Sequence, residues 1–226
     1  MNFNIAIDGP AGAGKSTIAK KIAKELGFIY VDTGAMYRAM ALFFLRHNIE
    51  AKDTKKIEEA CKDVNVSIEY RDGEQIVVLN GENVNSFLRT EEVANMASAT
   101  SVNKTVRLKL VELQRSLAMK ENVVMDGRDI GTYVLPDAAL KIYLTASATV
   151  RAKRRYLELQ KKGISSNINE IEKDIIERDH RDMTREFAPL IQAEDAIYID
   201  SSNLTIDEVV DKILSLYHSR VSACKN

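Results

Sequence analysis

Asn4-Ile5-Ala6-Ile7-Asp8-Gly9-Pro10-Ala11-Gly12-Ala13-Gly14-Lys15-Ser16 decides the fold. Asn4 to Ile7 is a short apolar strand, and glycines follow at once. A helix is expected from about Lys15 to Leu26, because Ile18, Ala19, Ile22, Ala23 and Leu26 recur on one face and Gly27 stops it. Gly9 to Ser16 fits the Walker A pattern, between a strand and a helix as that motif requires. The glycines let backbone N–H groups turn inward around phosphate oxygens, and the helix start adds its positive dipole end. Lys15 is placed to reach the β- and γ-phosphates and the Ser16 hydroxyl to ligate Mg²⁺.

Outward from this loop the chain alternates. Strand-like runs recur at Phe28–Val31, Val123–Met125, Leu140–Leu144 and Ala196–Ile199, each beside a helical pattern. This alternation predicts an α/β fold, a parallel sheet with helices on its faces. The last helix opens with a capping box, Thr205 to Glu208, and carries a stripe through Ile206, Val209, Val210, Ile213, Leu214 and Tyr217. From about Asn48 to Thr105 the texture differs. A short stripe (Ile57, Ala60, Cys61, Val64) precedes Val66–Tyr70, a turn at Arg71–Glu74, Gln75–Leu79, a turn at Asn80-Gly81, and Glu82–Val84, which reads as an inserted antiparallel meander. Val106, Leu110, Leu113 and Leu117 mark a long amphipathic helix.

Composition bounds the rest. The 226 residues carry 32 Lys or Arg and 33 Asp or Glu, a formal charge of −1, which argues against a nucleic-acid or anionic-membrane surface. With 45% hydrophobic and 29% charged residues, the chain reads as globular. The longest apolar run, Met40–Leu45, is far short of the roughly 20 residues of a membrane span. No basic, apolar or cleavage region opens the chain, so a cytoplasmic location is expected. Cys61 and Cys224 alone make no disulfide framework or four-ligand zinc site and read as free thiols.

Two further stretches place charge at the carboxyl edge of the sheet, where ligands bind in such folds. Asp32-Thr33-Gly34-Ala35-Met36-Tyr37-Arg38 opens a helix, with Asp32 either an N-cap or a site residue. Val123-Val124-Met125-Asp126-Gly127-Arg128-Asp129 resembles a Walker B segment, where Asp126 holds Mg²⁺ through water. No Asn-Lys-x-Asp guanine motif is present, since Asn103-Lys104-Thr105-Val106 lacks the carboxylate.

Together Gly9–Thr17, Asp32–Arg38, Asp126-Gly127-Arg128-Asp129-Ile130-Gly131-Thr132 and Arg178-Asp179-His180-Arg181-Asp182 resemble the bacterial cytidylate kinase family over essentially the whole chain. The resemblance implies a single P-loop kinase domain with a five-stranded parallel core (1–47, 106–158 and 186–226), a nucleotide-monophosphate insertion over about 48–105, and a mobile lid over about 159–185, its polar part from about Leu159 to Asn169. It implies phosphorylation of CMP and dCMP by ATP with Mg²⁺, in a monomer without nucleic-acid or membrane partners. ATP would lie on Gly9, Pro10, Ala11, Gly12, Ala13, Gly14, Lys15, Ser16 and Thr17. Arg38, Arg128 and Arg185 would hold the CMP phosphate. Ser98, Arg107 and Asp129, with Thr33, would read cytosine, and Arg178 and Asp182 would touch the sugar. Arg154, Arg181 and Arg185 would close over the γ-phosphate, with Lys15 and Arg128 completing the catalytic set. Taken alone, the basic run Arg151-Ala152-Lys153-Arg154-Arg155 reads as a solvated helix face.

Overall fold

In the computed structural model, which describes residues 2–71 and 73–223, β1 (Ile5–Asp8) is the central strand. Around it run α1 (Lys15–Leu26), β2 (Ile29–Asp32), α2 (Thr33–Arg46), α3 (Thr54–Asp63), β3 (Val66–Arg71), β4 (Glu74–Leu79), β5 (Glu82–Asn83), α4 (Glu91–Thr100), α5 (Lys104–Lys120), β6 (Val123–Gly127), β7 (Leu140–Thr145), α6 (Ala148–Lys161), α7 (Ile168–Thr184), β8 (Ile197–Asp200) and α8 (Ile206–Ala223). Five strands form one parallel sheet in the order β2-β6-β1-β7-β8. Side chains alternate across β1: Ala6 enters one core with α2 and α5, whereas Ile5 and Ile7 enter the other with α1 and α8. Burying both faces makes the strands continuously apolar, which is why they were legible as apolar runs.

Pairing of Asp8 with Gly127 and of Asp32 with Asp126 sets three strand ends level. The chain leaves β1 toward β2 on one side and reaches β7 and β8 on the other, so a crevice opens at that edge.

The inserted segment holds α3, α4 and a three-stranded antiparallel sheet in the order β3-β4-β5, as the alternation predicts. Asn80 (φ +48°) and Gly81 (φ +86°) make its two-residue hairpin turn, where positive φ favours these residues. In the other expected turn Asp72 lies outside the described residues, as does Cys224. Cys61 is buried. The meander is tied to the edge strand: Tyr70 donates to the Tyr30 carbonyl at 3.2 Å, and the Gln75 amide bonds both the N–H and C=O of Asp32 at 2.9 and 3.2 Å.

Two expectations change. Ile206 is 45% exposed, so the buried stripe of α8 begins at Val209, although the capping box forms with both Thr205 and Glu208 reciprocating. Of the polar segment expected over Leu159–Asn169, the two ends are helical, in α6 and α7, and the middle is not. Gly163 (φ +72°) follows the end of α6 and Asn167 caps α7 by accepting from Asn169 N–H at 2.9 Å, leaving only residues 162–167 outside helices. Among the described residues no helix is long and apolar enough to cross a membrane.

Candidate active site

The loop after β1 is shaped by its glycines. At Gly9 (φ +146°) an added Cβ would meet the Leu144 carbonyl oxygen at 1.9 Å, so only glycine lets the loop cross β7. Gly14 (φ +89°) starts α1. Lys15 follows, 5% exposed, donating to the Pro10 carbonyl at 2.7 Å. Burial, with the Arg128 charge beside it, brings Lys15 down to about 7. Ser16 Oγ donates to Asp126 Oδ2 at 2.9 Å, and Tyr30 OH donates to Asp126 Oδ1 at 2.8 Å. Burial and the neighbouring Asp32 raise the Asp126 carboxyl. A hydroxyl and a carboxylate beside a phosphate-binding loop are a hard-oxygen set suited to Mg²⁺, which takes few protein ligands and fills its shell from phosphates and water. Among the described residues there is no group of three or more His, Cys, Asp or Glu side chains that could hold a metal ion.

Against this loop lies a cavity of about 250 Å³ lined from β2–α2, α4, α5, the β6 turn and α7. Lys15 and five arginines (Arg38, Arg107, Arg128, Arg178, Arg185) face four aspartates (Asp32, Asp126, Asp129, Asp182), a formal excess of two positive charges. Such an excess suits a dianionic phosphate. Arg107, 1% exposed, donates to Asp129 Oδ2 at 2.5 Å and to the Ser101 carbonyl at 3.1 Å, and lies 5.4 Å over the Tyr37 ring. Arg185 reaches Asp129 Oδ1 at 3.4 Å and Asp182 at 3.7 Å. Arg128 Nε donates to Asp182 Oδ2 at 2.8 Å, and although burial raises Asp182, Arg128 holds it below the usual carboxylate range. Burial and then Arg128 bring Arg178 down to about 10. The Nε–H groups of Arg38, Arg107 and Arg178 are buried without partners, which is donor capacity for a ligand.

Local sequence builds these positions. Asp32 N-caps α2, accepting from Ala35 N–H at 2.8 Å, and pairs with Arg38 at 3.1 Å at the cavity wall. Thr33 Oγ1 donates to the Asp126 carbonyl at 2.7 Å. Asp8 accepts from the N–H groups of Ile130 and Gly131 at 2.8 and 2.7 Å, bolting the end of β1 to the turn that presents Arg128 and Asp129; burial pushes Asp8 up to about 7.

A second cavity of about 620 Å³ lies on the other side of the loop, lined by Gly12 to Thr17, Arg151, Arg154, Ser201 and Ile206. Arg154 donates to the Ser201 carbonyl at 2.7 Å.

The first cavity gathers Thr33, Arg38, Ser98, Arg107, Arg128, Asp129, Arg178, Asp182 and Arg185 with Ala11, Gly12, Lys15, Ser16 and Asp126. Gly9 and Pro10 line neither cavity and shape the loop from behind; Ala13, Gly14 and Thr17 line the second. Arg154, Arg181 and Arg185 do not meet. Arg185 is buried in the first cavity, Arg154 borders the second, and Arg181 is exposed, because α7 turns Asp179 and Asp182 inward and leaves Arg181 on its outer face. Nor are Arg128 and Asp129 an ion pair with each other, since each is claimed by another element. Sequence reasoning missed Asp8, Tyr30, Tyr37, Gln75 and Arg151. A tyrosine inside an apolar strand was a signal for Tyr30, because a buried phenol needs a partner. Arg151 had none.

Fold and site define the class: a P-loop kinase, with a phosphate loop between two adjoining cavities. The cytidylate kinase family model matches residues 5–219. The curated cytidylate kinase of Caldicellulosiruptor saccharolyticus is 55% identical over 216 residues, 96% of either chain, and that of Lactobacillus johnsonii 50% identical over 218 residues, 96% of this chain and 95% of its own. Among solved structures, an uncharacterized protein from Eubacterium ventriosum superposes with a TM-score of 0.55 at 14% identity, covering 96% of this chain and 99% of that one, which shows the fold alone. The chain belongs to the cytidylate kinase family.

Proposed function

We propose that the chain transfers the terminal phosphoryl group of ATP to CMP or dCMP, giving ADP and CDP or dCDP, as a cytoplasmic monomer. The observation that carries this reading is the buried Arg107–Asp129 pair lining the same cavity as the phosphate loop and the other arginines. Cytosine offers an amino donor that a carboxylate accepts beside ring acceptors that a guanidinium satisfies, whereas uracil reverses donor and acceptor there. Asp129 Oδ1, held only at 3.4 Å by Arg185, and the unpartnered Arg107 Nε–H are the available partners; Ser98 and Thr33 add hydroxyls to the set.

In this reading the segment 48–105 is the acceptor-binding insertion and 159–185 the lid. Arg38, Arg128 and Arg185 hold the CMP phosphate by planar forks, and Arg178 and Asp182 face its sugar. The second cavity takes the donor nucleoside, with its phosphates on the N–H groups of the loop and on Lys15. Ser16 and Asp126 would hold Mg²⁺, which when bound neutralises charge on the phosphate oxygens. A loose phosphoryl-transfer transition state needs alignment and charge neutralisation more than bond-making. Lys15, Arg128 and the already buried Arg185 supply these from the core, and α6 and α7 bring Arg154 and Arg181 inward as the site closes and excludes water.

CMP and dCMP are expected to exceed UMP in kcat/KM by roughly 5- to 150-fold, the worth of about 1–3 kcal/mol for mismatched polar contacts in a dry site. An assay of ADP release with each common nucleoside monophosphate reads this directly, and equal efficiency with UMP would sink the base-reading assignment. Arg38→Ala is expected to raise the CMP Michaelis constant, because its contact exists in the ground state, while Arg181→Ala is expected to lower turnover, because its partner charge develops during transfer. The lid role of Arg181 is wrong if its loss leaves turnover intact.

A further inference from the structure

Arg151 opens the basic run that reads, by sequence alone, as a solvated face, yet it is 4% exposed. Each nitrogen of its guanidinium is spent on a different element. Nε donates to the Ala146 carbonyl at the end of β7 at 2.8 Å, Nη1 to the Ala11 carbonyl in the phosphate loop at 2.9 Å, and Nη2 to Asp179 Oδ2 on α7 at 2.6 Å. A Cβ added at Gly12 would stand 3.4 Å from the Arg151 Cβ, so the arginine stem runs alongside the loop with room there for a glycine. On α7, Asp179 is flanked by Arg178 and followed three residues later by Asp182, both of which line the first cavity. The other oxygen, Asp179 Oδ1, is buried and unpartnered. A buried carboxylate with half its bonds unmade is costly for a purely structural tie, and leaves capacity for a second donor when the elements shift.

We infer that Arg151 and Asp179 are positioning residues that couple the two substrate cavities: phosphates seated on the loop fix the Ala11 carbonyl, Arg151 passes that constraint to Asp179, and α7 then holds Arg178 and Asp182 in register for the acceptor. The inference rests on the reading of the two cavities as donor and acceptor sites. A planar fork is needed because three acceptors on three elements are met at once, which an ammonium on a single point cannot reproduce. Coupling of this kind is reciprocal: a donor analogue that tightens CMP binding must itself be tightened by CMP to the same factor.

Titration calorimetry of CMP, with and without a non-hydrolysable ATP analogue, tests it in the wild-type protein, Asp179→Asn, Arg151→Lys and the double variant. The wild-type protein is expected to bind CMP at least fivefold more tightly with the analogue present. Both single variants are expected to lose that factor to within twofold of unity, with CMP affinity in the absence of analogue changed less than threefold, and the double variant to lose no more than either. Turnover falls about tenfold in each, with a smaller change in either Michaelis constant. A variant that keeps the wild-type factor, or a wild-type protein that shows none, overturns the inference. Hydrogen exchange on the wild-type protein does not depend on the variants folding or on CMP binding: the ATP analogue alone should raise protection of amides 176–182, and no rise overturns the coupling. Failure of the wild-type protein to bind CMP while that protection rises would instead refute the assignment of the acceptor and leave the link standing.

Discussion

Lys15→Met is expected to lower kcat/KM by about 10²–10³-fold, the usual loss when one preorganised charge is removed from a transferring group. The empty protein should nevertheless be no less stable near neutrality. Burial, and then the Arg128 charge, bring Lys15 from its ordinary 10.5 to about 7 in the folded state, with Asp126, Asp8 and Asp182 acting the other way. Between pH 7 and 10.5 the folded protein therefore binds fewer protons at this site than the unfolded chain, so stability rises with pH across that window and the deficit is complete below pH 7. Asp8 has the opposite slope. Its folded value of about 7 against 3.8 means that its contribution is present at low pH and is lost as pH rises from about 4 to 7. Urea unfolding at pH 6 to 10 should show an alkaline rise in the wild-type protein and a weaker one in Lys15→Met. Bound triphosphate favours the ammonium, so calorimetry at pH 8 in buffers of different ionisation enthalpy should report proton uptake with ATP in the wild-type protein and much less in the variant. A loss of activity under tenfold, with equal proton uptake in both, would remove Lys15 from the phosphate site.

Asp129→Ala should produce the largest loss of stability. The aspartate is 4% exposed and stands between Arg107 and Arg185, themselves 1% and 8% exposed, so its removal strands two guanidiniums in a nearly dry site. Removing one partner of a buried pair costs about 3–5 kcal/mol, or roughly 6–20 °C in melting temperature for a chain of this size. Asp129→Asn separates structure from recognition. Its carbonyl can still accept from Arg107 while its amide turns a donor toward the base, so it should keep more of the stability yet reduce the CMP-over-UMP preference at least tenfold. Calorimetric melting and the same ADP-release assay measure both. A melting temperature within 2 °C of wild type for Asp129→Ala would mean that water reaches the pair, and the dry-site argument for base choice would fall with it.

The sequence determined what depends on neighbours along the chain. Backbone freedom at Gly9, Gly12 and Gly14 marked the phosphate loop, continuous apolar runs marked strands buried on both faces, alternation and Asn80-Gly81 marked the meander, and Thr205–Glu208 marked the start of α8. Each is a local rule with a local cause, and the resemblance supplied the expected roles. Tertiary structure decided which charges meet. Arg107 and Asp129 are 22 residues apart, Tyr30 and Asp126 are 96, and Asp8 and the Ile130 amide are 122. Helical periodicity says that Arg151, Arg154 and Arg155 share a side of α6 and that Arg155 can meet Glu158 three residues on, but not that α7 will cover Arg151 or that Ser201 will hold Arg154. Spacing along one helix gives directions relative to its own axis; what waits in each direction is fixed by packing of the other elements, and for long charged side chains the burial and partners found there decide whether a charge is a solvated ornament, a structural bolt or part of the site.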